Sequence, residues 1–354
     1  MPLGLSISLG GLIGSGALTG WPNVDVPPPE RPDFTALIDP NKVSNASVMS
    51  LADIKTLNCP STDTYCHWTC TRCVRSESDI VYCPNPNDWG LSFDDGPSQY
   101  TVSLLDFLDS KKIKATFFII GSQVVQYPEI LQRIANDGHQ IGVHTWSHPY
   151  LTSQTTEQVI SELQWTAEII KNVTGVTPKY MRPPYGDYDD RIRDICKQLG
   201  YKIVLWDKNT NDWLSASDAS FQMSWVESNF TEWVGHKNST GHISLELDKY
   251  SSQGQLVVPI LQNSSYNIKP IADCLGYSGN FYKENGSTPN TTSTSTPAIA
   301  NLPQPSHPSD GTTFGSFNFT KASSAVKNNF YYNNSWPFIM IAILIAYISF
   351  NTLN

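Results

Sequence analysis

Five short polar motifs in this chain carry the residue types of a hydrolytic metal site. They are Asp94-Asp95-Gly96-Pro97, His144-Thr-Trp-Ser-His148-Pro149, Arg182-Pro-Pro-Tyr185-Gly186, Asp212-Trp213 and Glu246-Leu247-Asp248. A divalent ion used for hydrolysis takes three protein ligands and keeps a position open for water. His144 and His148 are four residues apart, a spacing that one helical turn would place on a single side. Asp95 completes a set of two imidazoles and one carboxylate. Zinc suits that set, and cobalt, manganese and nickel are alternatives. On a tight turn before Gly96-Pro97, Asp94 and Asp95 would diverge, leaving Asp94 as the candidate general base for the attacking water. Arg182 is the candidate partner that keeps Asp94 ionised. Pro183-Pro184 would stiffen the loop that offers the Tyr185 backbone N–H to a developing oxyanion.

The elements that must position these motifs are legible as alternating patterns. Short apolar runs at 89–93, 115–120, 140–143, 179–181, 202–205 and 242–247 read as strands, and the polar motifs follow or close five of them. Between the runs, 101–111, 154–171 and 189–199 carry Leu, Val and Ile at helical spacing. Strands alternating with helices predict an α/β fold with a parallel sheet, open or closed. In closed parallel sheets the active site is assembled from the strand ends where these motifs fall.

Phe93-Asp-Asp-Gly-Pro97, His144-Thr-x-x-His148-Pro149 and Arg182-Pro-Pro-Tyr-Gly186 resemble the first three motifs of polysaccharide deacetylases with the NodB homology domain (carbohydrate esterase family 4). The fungal chitin deacetylases are the most similar branch, and the resemblance covers about residues 86–277. It implies a distorted (β/α) barrel that removes N-acetyl groups from N-acetylglucosamine units of chitin. It also implies a divalent ion on Asp95, His144 and His148, Asp94 as base, Arg182 orienting it, Tyr185 lending its N–H, and Trp213 walling the acetyl pocket.

Two motifs depart from the family pattern. The fourth usually reads Asp-Thr-x-Asp-Trp; here it is Asn209-Thr-Asn-Asp212-Trp213. The fifth usually ends Leu-Glu-His-Asp, the His being general acid and Asp212 its support, but Leu247 stands at that position. His242 is five residues earlier, an odd offset that points it to the other face of a strand about 16 Å away. Loss of a general acid typically costs about 10²–10⁴-fold in rate. Two other functions therefore fit the same residues: a chitin-binding surface protein without turnover, and an esterase for O-acetylated polysaccharides, whose better leaving group needs less acid.

The rest of the chain addresses it to the exterior. A net charge of −9 leaves no basic stripe for nucleic acid. Sequons at Asn45, Asn172, Asn229, Asn238, Asn263, Asn285, Asn290 and Asn318 are candidate N-glycosylation sites. Of seven cysteines, Cys59, Cys66, Cys70, Cys73 and Cys83 cluster. Disulfides are favoured over a zinc knuckle on Cys70-x-x-Cys73, with one thiol left over and the pairing open. The expected organisation is a signal peptide at 1–20, a Pro-rich then Cys-rich extension at 21–85, and the NodB-type domain at 86–277. A Ser/Thr/Pro/Asn-rich glycosylated stalk at 278–325 and a tail at 326–354 complete it. The apolar run 336–350 after a polar spacer fits a glycosylphosphatidylinositol signal, with attachment at Ser323, better than a membrane-spanning helix. The expected protein is a cell-surface monomer acting on chitin or N-acetylglucosamine oligomers.

Overall fold

The computed structural model describes residues 18–236, 238–248 and 252–284. Nine strands make one parallel sheet: β1 (Asp79–Ile80), β2 (Asp88–Gly96), β3 (Thr116–Ile119), β4 (Gln140–Val143), β5 (Tyr180–Met181), β6 (Lys202–Val204), β7 (Lys208–Asn209), β8 (His242–Leu247) and β9 (Asn267–Lys269). Their order is β1-β6-β5-β4-β3-β2-β8-β7, and β9 pairs with the first residues of β2. The sheet curls into a distorted half-barrel whose outer strands, β1 and β7, do not pair with each other among the described residues.

Alternation along the strands builds two apolar layers. Trp89, Leu91 and Phe93 of β2, with Phe117, Ile141, Val143 and Ile203, face the helices in the main core. Helices Thr101–Ser110, Pro128–Asn136, Thr156–Thr174 and Asp190–Gln198 supply the opposing Leu, Ile and Val side chains. The longest of them starts on a capping box, Thr155 with Gln158, and ends at Gly175, whose φ of 78° suits only a residue without Cβ strain. The opposite face holds a smaller cluster, with Phe118, Tyr180, Val204 and Ile243 against Ile271, Ala272, Cys83 and Cys274. Ser92, Asp94 and Arg182 are buried on that second face, joined by hydrogen bonds.

Predicted and observed elements agree closely for β4 and β8. β2 runs farther than the apolar stretch, continuing through both aspartates to Gly96. Strands β1, β7 and β9 are two or three residues long, too short to leave an alternation, and β1 joins the sheet ahead of residue 86. The Pro-rich part of the extension packs against the helix Thr156–Thr174. Phe34 packs edge-on against Trp165, Arg31 pairs with Glu168 at 2.8 Å, and Trp165 Nε1 donates to the Pro29 carbonyl.

Six cysteines pair as Cys59–Cys70, Cys66–Cys73 and Cys83–Cys274, while Cys196 is a buried free thiol. Cys70 and Cys73 thus belong to different disulfides, which removes the zinc-knuckle alternative. Trp233 packs on Phe230, while Trp225 lies against Phe221 and is 45% exposed. Its helix, Ser224–Gly235, buries Val226 and Phe230 instead. Asn45, Asn172, Asn238 and Asn263 are exposed and Asn229 is half-buried. Asn285, Asn290, Asn318, Ser323, the signal segment through residue 17 and the C-terminal tail lie outside the described residues.

Candidate metal centre

The two adjacent aspartates part company because the strand that carries them bulges. β2 pairs Asp94 with Phe118 of β3 and Gly96 with Ile119, so Asp95 is the extra residue, with φ of 73°. The divergence expected from a tight turn therefore arises inside the strand. Gly96 is required beside it: a Cβ there would lie 1.9 Å from Asp248 Oδ2.

His144 and His148 do come together, with ring centroids 4.9 Å apart, but not on a helical turn. The segment after β4 is a loop in which Thr145 and His148 take φ of 67° and 58°. Asp95 Oδ1 lies 3.4 Å from His144 Nε2 and 3.2 Å from His148 Nε2, and the three ligand atoms all fall within 4.8 Å of one another. Two donors each about 2.0–2.1 Å from a tetrahedral ion sit about 3.3–3.4 Å apart, so these spacings fit a small divalent ion. His144 Nδ1 donates to the Arg182 carbonyl at 2.7 Å, which turns its Nε2 lone pair toward Asp95. Among the described residues, a second grouping of ligand types, Cys59, His67 and Cys70, is unavailable because its thiols form a disulfide.

Asp94 is held by the fully buried Arg182. Nη1 donates to Asp94 Oδ1 at 2.7 Å and to Ser92 Oγ at 2.8 Å, Nη2 donates to the Leu205 carbonyl at 3.0 Å, and Phe118 covers the guanidinium face. The second carboxylate oxygen, Oδ2, lies 3.8 Å from His144 Nε2. Burial lowers the Arg182 pKa against the pull of Asp94, but a guanidinium stays charged. For His144, burial disfavours the cation, yet Asp94 and Asp95 outweigh it and raise the pKa. The surroundings of Nε2 favour positive charge.

More acid groups crowd the same strand ends. Asp212 accepts the Leu247 N–H at 2.9 Å; burial, then the charges of Asp95 and Asp94, push its pKa up to about 7. Glu246 is raised well above the carboxylate range by burial and by Asp212, and Thr210 donates to it. Asp248 accepts from Thr101 at 2.7 Å.

Tyr185 occupies a single turn, Pro184–Gly186, with φ of 60°. Its ring stacks on Tyr150 at 4.0 Å and leans on His148 at 4.6 Å. Trp213 shares the turn Asp212–Ala216 with Asp212. Leu247 pairs with Asp94 across β2 and β8, so the position where the family resemblance expects His lies beside the base. His242 is on the other face, against Trp89 and bonded to Asp207 at 2.5 Å, and does not replace it. Ser92, Tyr150 and Glu162, which bonds the loop between the two histidines, carry no motif and are found only in three dimensions.

Residues 82–204 match the family of polysaccharide deacetylases. The chain is 43% identical over 281 residues to chitin deacetylase 1 of Cryptococcus neoformans var. grubii, covering 73% of this chain and 59% of that protein. It is 32% identical over 278 residues to chitin deacetylase 1 of Saccharomyces cerevisiae, covering 74% and 88%. The solved chitin deacetylase of Colletotrichum lindemuthianum superposes with a TM-score of 0.55 at 28% identity, over 59% of this chain and 97% of that one. The chain thus spans less than two thirds of the length of the Cryptococcus relative.

Proposed function

The chain belongs to the polysaccharide deacetylase family with NodB homology (carbohydrate esterase family 4), close to the fungal chitin deacetylases, and on that premise we propose that it hydrolyses N-acetyl groups of chitin. The products are acetate and a free glucosamine amine. One observation carries the reading: Asp95, His144 and His148 form a triangle of ion size beside an aspartate held by a buried arginine.

Asp95, His144 and His148 would hold the ion, zinc by donor type. When bound it supplies a Lewis acid that polarises the acetyl carbonyl and lowers the pKa of water. Asp94 takes the proton of the attacking water, and Arg182 fixes which of its oxygens is left for that task. The Tyr185 N–H serves the developing oxyanion, and Trp213 and the Tyr185 ring bound the acetyl group. Asp212 loses the imidazole partner it has in the family and supports the Leu247 backbone instead.

Leu247 beside Asp94 favours a second reading, slow amide hydrolysis with O-acetyl esters as better substrates. Acetate release from chitin oligomers measured beside acetylated xylan separates the cases. Faster turnover of chitin supports the proposal, and turnover of xylan alone refutes it. Binding of chitin without acetate release would make the chain a surface lectin-like protein. Three disulfides support a secreted location, and we place the chain at the cell surface on a glycosylphosphatidylinositol anchor.

A further inference from the structure

The loop between the two imidazole ligands is gripped by a side chain from a different element. Glu162, on helix Thr156–Thr174, is 1% exposed. Its Oε2 accepts the backbone N–H groups of Trp146 and Ser147, both at 2.8 Å, and its Oε1 accepts the Ser147 hydroxyl at 2.6 Å. All three donors fall between His144 and His148. On the other side of the loop, the carbonyls of Thr145 and Trp146 accept the N–H groups of Gly121 and Ser122 at 2.9 and 3.2 Å.

A buried carboxylate is costly unless its hydrogen bonds are made. Among the described residues no cation lies within ion-pair distance of Glu162, so three loop donors bear that cost. The loop in turn needs an external hold. Thr145 and His148 both sit in the left-handed region, which such residues adopt only when their surroundings dictate it. Without Glu162, the N–H groups of buried Trp146 and half-buried Ser147 would lack their acceptor.

We propose that Glu162 is a positioning residue that sets the spacing of His144 and His148 and thereby the affinity of the site for its ion. Its hydrogen bonds fall on the two peptide units between the ligands, and it acts through them. The inference rests on Asp95, His144 and His148 being ion ligands, as proposed above. Glu162→Leu puts an apolar group of similar size in the helix but accepts no hydrogen bond, so all three loop contacts are lost.

The test titrates Co(II) into the chelator-treated full chain and follows the visible d–d absorption of the bound ion, with the thermal midpoint of the ion-free protein as a folding control. Glu162→Leu is expected to bind Co(II) at least about tenfold more weakly, the size of loss seen when groups behind metal ligands are removed. Its bands should also shift at saturation, a change in ligand geometry that a lowered ion-free midpoint alone would not produce. Ser147→Ala, which deletes one of the three bonds, should fall between the two. Wild-type-like affinity and bands in Glu162→Leu overturn the inference. If that variant does not fold, unchanged Co(II) binding by Ser147→Ala overturns it instead. Failure of the wild-type chain to bind Co(II) strikes the ligand assignment itself, and this inference with it.

Discussion

Asp94 and Asp95 are bonded neighbours that hold different partners, one a guanidinium and the other a pair of imidazoles. That division supports distinct roles, and Asp94→Asn tests it. The variant keeps the size and can still meet Arg182, but it cannot take a proton. Acetate release should drop by about 10²–10⁴-fold, with ion content unchanged when measured by atomic absorption. Leu247 is the reverse case, a side chain that cannot donate a proton at a position facing the base. Leu247→His should raise the rate on chitin oligomers at least about tenfold; an unchanged rate means that the acid comes from elsewhere. The types and order of Asp94, Asp95, His144, His148 and Arg182 pointed to residues that the fold brings together. Glu162 was not legible, because a Glu on an amphipathic helix reads as part of the solvated face until the fold shows where it points.

At the scale of elements, the site is made by irregularities. The bulge in β2 turns Asp95 away from Asp94, and the loop after β4 brings His148 back over His144. Apolar alternation predicted where these strands run, but nothing in a period-two pattern announces one extra residue. Nor does a four-residue His spacing distinguish a helical turn from a loop with two left-handed residues. The bulge also dictates Gly96. Gly96→Ala would place a methyl against the Asp248 carboxylate, which Thr101 holds from the far side. Its thermal unfolding should reveal a loss of about 1–3 kcal/mol, the usual penalty for overpacking; a wild-type midpoint would show that the strand end is looser than described.

For the whole molecule, convergence of strand ends concentrates buried acid on one side. Burial, then the charges of Asp95 and Asp94, push Asp212 up to about 7 in the folded chain, against about 3.9 unfolded. A raised folded pKa stabilises fully below the unfolded value and is lost as pH climbs through the folded one. Ion-free protein should therefore unfold at a higher temperature at pH 5 than at pH 8, and Asp212→Asn should flatten that difference. An equal slope in the variant would exclude Asp212 as its source. Glu246 shifts in the same direction. The disulfide Cys83–Cys274 spans 191 residues and joins the chain ahead of β2 to the helix Ile271–Cys274 in the smaller apolar cluster. No reading of cysteine spacing could choose that pairing, since it depends on strand order.

Stepwise removal and return of the ion addresses the central claim most directly: acetate released from chitin oligomers by the purified chain, by the same chain after chelation, and after one equivalent of zinc is restored. Release that vanishes on chelation, returns with zinc and is absent in Asp95→Asn is the predicted result. Acetate release that persists unchanged through chelation, or none at all with zinc bound, would contradict it.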